Sequence, residues 1–228
     1  MQDTTKKKIG FVCGALLSCL WVFYVFFVLM PADAEQREIA SALNQGNYEK
    51  AQRLLQPLAE KGNAEAQYNL GFAYARGKNP EDLVKAREWY EKAAEQDMVW
   101  AQNNLGLMYR DGEGGVKDLA KAHKWFEKAA AQNSAPAQYN LGVMYANAEG
   151  VSKDLAKARA WYEKAAVQGH AKAQNNLGVM YGLGQGVAKD LFKAREWYEQ
   201  VAAQRKNAEN AEVVRKARQI LEQIRQMR

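Results

Sequence analysis

The amino-acid sequence predicts an all-α protein, a right-handed superhelical solenoid of stacked helix pairs preceded by an N-terminal transmembrane or signal helix. Three observations lead to this prediction. A charge-free apolar segment lies near the start, a motif recurs with a period near 36 residues, and apolar residues in each repeat follow one face of an α-helix. A fixed period of this length is typical of repeat proteins in which each unit packs on its neighbours.

The composition of the 228-residue chain is that of an ordinary globular protein, with 48% hydrophobic and 25% charged residues. Its two cysteines, Cys13 and Cys19, lie together in the apolar segment, and its two histidines, His123 and His170, have no ligand motif around them. A disulfide framework is therefore excluded, and we predict no metal, no cofactor and no catalytic residue. Both histidines are expected at the surface.

Charge is unevenly distributed along the chain. Residues 31–204 carry 22 basic and 22 acidic side chains, so the body has no excess charge to attract nucleic acid, and we predict no nucleic-acid partner. Residues 205–228 hold seven basic and three acidic residues. We interpret this end as a solvated, basic capping helix.

Residues 9–30 form the uncharged apolar segment. At about 1.5 Å per residue they are long enough to cross a hydrocarbon core of about 30 Å as a helix. Lys6, Lys7 and Lys8 precede the segment, within a basic stretch formed by residues 1–8, whereas the first basic residue after it is Arg37. The positive-inside rule then predicts a single-pass protein with a cytoplasmic N-terminus and the repeats on the outer side.

A cleaved signal peptide is the alternative interpretation of this segment. Ala32-Asp33-Ala34 is a pattern that a signal peptidase can cleave after Ala34, which would release the repeats. The length and bulk of the apolar segment favour an uncleaved anchor. Gly10, Gly14 and Ser18 have a spacing that permits weak self-association of membrane helices.

The repeat is marked by pairs of residues in constant register. Leu-Gly pairs recur at Leu70-Gly71, Leu105-Gly106, Leu141-Gly142 and Leu177-Gly178. Lys-Ala pairs recur in step at Lys85-Ala86, Lys121-Ala122, Lys157-Ala158 and Lys193-Ala194. These pairs divide residues 64–204 into four repeats, 64–97, 98–133, 134–169 and 170–204.

Each repeat is predicted to be two helices joined by a glycine-containing loop. Ala101, Leu105, Met108 and Tyr109 share one helical face, and Gly106 lies beside them, where we expect close approach of the paired helix. An aspartate stands where each second helix should begin, as a candidate N-cap. These aspartates are Asp82, Asp118, Asp154 and Asp190. The Trp-Tyr and Trp-Phe pairs of the second helices are predicted to pack in the core.

Shorter elements are expected at both ends of the repeats. Residues 31–63 are predicted to hold a short linker and an opening helix pair with a tight turn at residues 44–47. Residues 208–227 are predicted to form one amphipathic helix, within the basic segment 205–228, over the last apolar face.

At this point the sequence resembles the Sel-1-like (SLR) repeat family, tetratricopeptide-like α-solenoid proteins. The motif from Ala137-Gln138-Tyr139-Asn140-Leu141-Gly142 through Trp161-Tyr162-Glu163-Lys164-Ala165-Ala166 carries the resemblance over residues 64–204. The opening pair is closer to a plain tetratricopeptide unit.

The resemblance implies that the first helix of each repeat lines a concave surface. On that surface an asparagine recurs in every repeat, as a donor and acceptor for a partner's backbone or as a hydrogen-bonding link between helices. Trp100 is either an exposed anchor or packed on the preceding helix. The predicted partner-binding groove consists of Tyr68, Asn69, Trp100, Asn103, Asn104, Tyr139, Asn140, Asn175 and Asn176.

The resemblance also implies a function without catalysis. We expect a protein–protein interaction module, an adaptor or assembly scaffold of the bacterial cell envelope, bound to the inner membrane through residues 9–30 with periplasmic repeats. The alternatives are an exported regulator of a membrane sensor and, less favoured, a β-lactam-binding or hydrolysing enzyme, as linked to cysteine-rich relatives. The repeats of this chain have no cysteine and no Ser-x-x-Lys motif.

Overall fold

In a computed structural model, the residues described are 30–77, 79–204 and 210–226, and all of their regular secondary structure is α-helical. The prediction of an all-helical solenoid of stacked helix pairs is confirmed for this part of the chain. The predicted transmembrane or signal segment, residues 9–30, lies outside the described residues except for Met30. The chain divides after Gly77 into two compact units.

The described part of the first unit, residues 30–77, contains three helices, and each packs on the next. They are α1 (Met30–Asn44), α2 (Tyr48–Glu60) and α3 (Ala64–Ala75). Helix α1 takes in residues 31–34, for which the sequence suggested a linker. The tight turn after it ends at Asn47, whose side chain accepts a hydrogen bond from the Lys50 backbone N–H and so caps α2.

The second unit contains eight helices among its described residues, 79–204 and 210–226. They are α4 (Pro80–Glu95), α5 (Val99–Asp111), α6 (Leu119–Ala131), α7 (Ala135–Asn147), α8 (Leu155–Val167), α9 (Ala171–Leu183), α10 (Leu191–Ala203) and α11 (Ala211–Gln226). Each helix packs against the next one along the chain, and α11 also contacts α9. This nearest-neighbour packing is the stacking of helix pairs that a repeat of this period predicts.

Three of the four predicted aspartate N-caps are confirmed. The carboxylates of Asp118, Asp154 and Asp190 each accept a hydrogen bond from the backbone N–H three residues on. The prediction for Asp82 is wrong, because α4 begins at Pro80 and its N-cap is Asn79. Proline has no N–H and its φ is already helical, so it suits the first position and starts this helix early.

The recurring glycine in the first helices allows close approach, as predicted. A Cβ on Gly106 would lie 2.6 Å from Cε1 of Phe126, and a Cβ on Gly178 would lie 2.8 Å from Cε1 of Tyr198. Real Cβ atoms do not approach a ring so closely, and only glycine leaves that space to it. The second ring of each aromatic pair therefore enters the core, where Phe126 is fully buried.

The first ring of three of the four aromatic pairs is held differently from the second. The ammonium groups of Lys92, Lys128 and Lys164 lie 3.9 to 4.3 Å from the ring centroid of the tryptophan three residues earlier. These tryptophans are Trp89, Trp125 and Trp161. Their indoles thus pack within the repeats beneath lysine cations.

The glycine-containing loops pack against the preceding repeat. A Cβ on Gly150 or Gly186, both at positive φ, would lie 2.5 Å from the Cβ of Leu119 or Leu155 respectively. The loop backbone therefore lies directly on the leucine that begins the second helix of the preceding repeat. Leu191 is the equivalent residue of the last repeat, and it is 63% exposed.

The C-terminal helix α11 is amphipathic, as predicted. Val214 and Ala217 are fully buried, and Ile220 and Leu221 pack partly buried against the same cluster as Tyr198 and Val201. This helix therefore covers the apolar face that the last repeat would otherwise expose. Among the residues that the structure describes, no helix is both long and apolar enough to span a membrane.

Candidate functional site

The second unit contains an open groove of about 900 Å³. The first helices of three repeats, α5, α7 and α9, supply most of its described lining, to which Gln204 and Asn210 also belong. Its lining residues are Trp100, Asn103, Asn104, Leu107, Arg110, Pro136, Tyr139, Asn140, Gln168, Gly169, His170, Ala171, Lys172, Gln204 and Asn210.

The structure brings five of the nine predicted groove residues together in this groove. They are Trp100, Asn103, Asn104, Tyr139 and Asn140. Asn175 and Asn176 lie on α9 but are not part of the groove lining. Tyr68 and Asn69 lie on α3, half-buried, in the first unit.

An amide network links neighbouring first helices. Asn140 is buried on α7, and its Nδ2 donates a hydrogen bond of 3.0 Å to Oδ1 of Asn103 on α5. Asn103 in turn donates from Nδ2 to Oδ1 of Asn104, a longer contact of 3.5 Å. The recurring asparagines thus have a structural role here, and the network ends at the half-buried Asn104 in the groove.

Asn176 also has a structural partner. It donates a hydrogen bond to the phenol of Tyr162 on α8. Burial is the main influence on that phenol, and it raises the pKa of Tyr162 to about 12. Some of the recurring asparagines therefore bond to other side chains within the solenoid, whereas others line the groove.

Trp100 is an exposed large hydrophobic side chain of the groove. Its residue exposure is 57%, although it lies in the first turn of α5 among residues that are mostly buried. This exposure agrees with the prediction of an exposed anchor. An exposed indole on a concave wall offers a wide apolar face and one N–H donor.

Tyr139 and His170 form a stacked pair within the groove. Their ring centroids are 4.7 Å apart with 26° between the planes, and Tyr139 also contacts the ring of Tyr162 at 5.8 Å. The imidazole Nδ1 of His170 accepts a hydrogen bond from the Ala173 backbone N–H and caps α9. Burial raises the pKa of Tyr139.

The expectation that both histidines lie at the surface is wrong. His170 is half-buried in the groove wall, and His123 is half-buried between Glu127 and the hydroxyl of Tyr145. His123 occupies the register of Arg87 in its own repeat, so the repeat alignment could have placed it.

Glutamines at the ends of the second helices were missed by the sequence analysis. Gln168 Nε2 donates to the buried Gln138 Oε1 at 2.8 Å and to Asn133 Oδ1 at 3.2 Å. Gln204 makes the equivalent bonds to Gln174 Oε1 and the Gly169 carbonyl. Each glutamine therefore links the ends of three helices by hydrogen bonds beside the groove. The signal was present, because these glutamines recur every 36 residues.

Arg110 carries a positive charge at the floor of the groove. Its guanidinium pairs bidentately with Asp111, at 2.8 and 2.9 Å. This ion pair raises the pKa of Arg110 and lowers the pKa of Asp111. The groove thus combines amides, aromatic rings and cations, groups that hold a polypeptide by hydrogen bonding and packing. Among the described residues no cluster of metal-ligating side chains occurs.

Together, the stacked helix pairs and the groove across their first helices define an α-solenoid repeat protein. The Sel1 repeat family matches the chain at residues 42–63, 64–98, 101–134, 135–170 and 171–205. The chain therefore belongs to the Sel1 repeat family. Its opening segment is included among the five matched repeats.

Solved structures support the same assignment. A Sel1 repeat protein from Oxalobacter formigenes is 34% identical, with a TM-score of 0.68 over 81% of this chain and 73% of that one. The protective antigen c5321 of uropathogenic Escherichia coli, which displays an SLR fold, is 35% identical with a TM-score of 0.66. That match covers 75% of this chain but only 39% of the antigen's length. Among curated proteins none matches significantly.

Proposed function

We propose that this protein is a non-catalytic adaptor or assembly scaffold of the bacterial cell envelope, which binds a segment of a partner protein in the groove of its second unit. The observation that carries the proposal is the exposed indole of Trp100 at the wall of a groove of about 900 Å³. Sel1 repeats are a protein-interaction fold, which supports the same role.

The groove is suited to binding because its wall is rigid before a partner arrives. Asn103 and Asn140 hold α5 and α7 in register, and Gln168 ties the helix ends beside them. A surface ordered in advance lowers the entropic cost of binding. Tryptophan is enriched among residues that dominate interface energies, so Trp100 is the expected anchor.

The experiment is co-purification of partners from solubilised membranes with the full chain carrying Trp100→Ala. Phe192→Ala is the matched control, since Phe192 is an exposed aromatic residue, 70% exposed, outside the groove lining. We expect Trp100→Ala to weaken binding by about 2 kcal/mol, or some thirtyfold, while the control binds normally.

Circular dichroism of both variants shows whether the helices remain intact. A partner that both variants retain equally would move the binding surface out of the groove and contradict the proposal. A partner that a photocrosslinker at Leu107 captures, and that Trp100→Ala loses, supports it.

The envelope location is part of the proposal and is supported by the sequence. Residues 9–30 are uncharged and follow three lysines, which favours a cytoplasmic N-terminus and periplasmic repeats. Alkaline phosphatase fused after Arg228 should be active, because that enzyme requires the periplasm to form its disulfides. An inactive but stable fusion would contradict this topology. Mass spectrometry of the purified chain distinguishes the anchored form from one cleaved after Ala34.

A further inference from the structure

The lining of the groove has a charge bias that the rest of the solenoid lacks. The lining residues that the structure describes include two cationic side chains, Arg110 and Lys172, and no carboxylate. Residues 31–204 as a whole carry equal numbers of acidic and basic side chains. Among the described lining residues, the charge therefore departs from the balance of the chain as a whole.

Lys172 is the cation that remains available to a ligand. Arg110 is paired with Asp111 through two short hydrogen bonds, which offset its charge. Lys172 is exposed in the first turn of α9, and within the described part of the chain it forms no ion pair. A carboxylate brought to this position gains a partner without displacing an existing one.

The direction of the amide network adds hydrogen-bond donors to the same surface. Asn140 donates to Asn103, and Asn103 donates to Oδ1 of Asn104. The amide network ends at the Nδ2 group of Asn104, and Asn104 lines the groove. An amide whose oxygen is already used presents its two N–H donors, which suit a carboxylate or a carbonyl oxygen.

We propose that the segment bound in the groove is an extended acidic peptide. Its carboxylates lie near Lys172 and Asn104, and one of its apolar side chains packs on the exposed indole of Trp100. Charge complementarity with the described lining residues, which include Arg110 and Lys172 but no carboxylate, favours this occupant over a neutral or basic one. The inference rests on the proposed function, since it specifies the partner of that same groove.

The test uses the full chain in detergent micelles at low salt and fluorescently labelled random peptides of equal length. Three pools share the same apolar residues and differ only in their polar positions, which are Asp and Glu, Asn and Gln, or Lys and Arg. We expect fluorescence anisotropy to show binding of the acidic pool about tenfold tighter than the amide pool, with the basic pool weakest.

Two charge reversals separate the local effect from the effect of net charge. Lys172→Glu should weaken the acidic pool about tenfold, whereas Lys124→Glu, an exposed lysine on α6 outside the groove lining, should change its affinity less than about twofold. Equal losses in both variants would show that only net charge matters and would overturn the inference.

The remaining outcomes distinguish this inference from the proposed function. If the acidic and amide pools bind equally and both are lost in Trp100→Ala, the groove binds peptides but not through charge, and only the inference fails. If no pool binds, the acidic-peptide inference fails, while a partner crosslinked at Leu107 would still support the proposed function. Tighter binding of a single-stranded oligonucleotide with the same Lys172 dependence would replace the peptide with a nucleic acid.

Discussion

The ring of Tyr162 lies against Gly142 so closely that a Cβ on the glycine would be 2.5 Å from both Cδ1 and Cε1 of the ring. The same relationship joins Gly106 to Phe126 and Gly178 to Tyr198 in the neighbouring repeats. The close contact between the two helices of a repeat is thus made by a glycine on the first helix and a ring on the second.

Gly142→Ala should therefore destabilise the protein, although alanine is the better helix former. The gain in helix propensity is about 1 kcal/mol, whereas displacing a buried ring costs about 1–3 kcal/mol, so we expect a net loss of up to about 2 kcal/mol. Gly182→Ala is the control, because its Cβ would meet only the Ala194 Cβ, at 3.7 Å. Urea unfolding measures both variants. A Gly142→Ala protein as stable as the Gly182→Ala protein would show that the ring moves at no cost.

The capping aspartates provide a second matched pair. Asp154 caps α8, since its carboxylate accepts from the Lys157 backbone N–H at 2.9 Å, whereas Asp82 lies inside α4. We expect Asp154→Ala to lower the free energy of unfolding by about 1 kcal/mol and Asp82→Ala by only about 0.3 kcal/mol, through the helix dipole. Thermal unfolding followed by circular dichroism compares them, and equal losses would contradict the assignment of Asn79 as the N-cap of α4.

The leucines that begin the second helices differ in what covers them. Leu155 is half-buried under the loop at Gly186, but Leu191 is 63% exposed. We expect Leu155→Ala to cost about 1–2 kcal/mol and Leu191→Ala less than about 0.5 kcal/mol. Chemical denaturation of the two variants tests this. A large loss for Leu191→Ala would mean that another part of the chain, or a second copy, covers it in solution.

Stability at alkaline pH should depend on Tyr162. Burial raises the pKa of this phenol from its ordinary 10.0 to about 12, so below pH 10.0 it is protonated in both the folded and the unfolded state. Between pH 10.0 and about 12 the unfolded chain loses the proton first, and the free energy of unfolding falls by about 2–3 kcal/mol.

Tyr162→Phe should remove this contribution to the decrease in the free energy of unfolding at alkaline pH. The stability difference between wild type and variant should be constant at neutral pH and should shift in favour of the variant above pH 10.0, the ordinary pKa of the phenol. Denaturant unfolding at a series of pH values measures it. Parallel pH profiles for the two proteins would show that Tyr162 ionises normally in the folded state.

Much of the fold was predictable from the sequence because repetition amplifies a weak local signal. Leu105, Leu141 and Leu177 occupy one register, and each is fully buried as the helical periodicity predicts. The aspartate caps were predictable for the same reason, except where Pro80 introduces a competing start signal. The close approach at Gly106 also followed from the pattern, because a glycine inside a helix needs a packing reason.

The candidate site was only partly predictable. A recurring asparagine marks the first helices, but its sequence position does not show whether the amide faces a groove or a neighbouring side chain. Asn140 bonds to Asn103, Asn176 bonds to Tyr162, and Asn104 remains at the groove surface. Those outcomes depend on how adjacent helices are spaced, which involves residues far apart along the chain, as with Asn103 and Asn140, 37 positions apart.

The sequence by itself determined the helix pairs, their period and the burial of the recurring leucine, because these depend on periodicity and on local capping chemistry. Only the tertiary structure decided that Trp100 is exposed, that His170 stacks on Tyr139, and that carboxylates are absent from the groove lining the structure describes. The physical reason is that exposure and charge complementarity arise where separate repeats meet. No single repeat contains the neighbours that determine them.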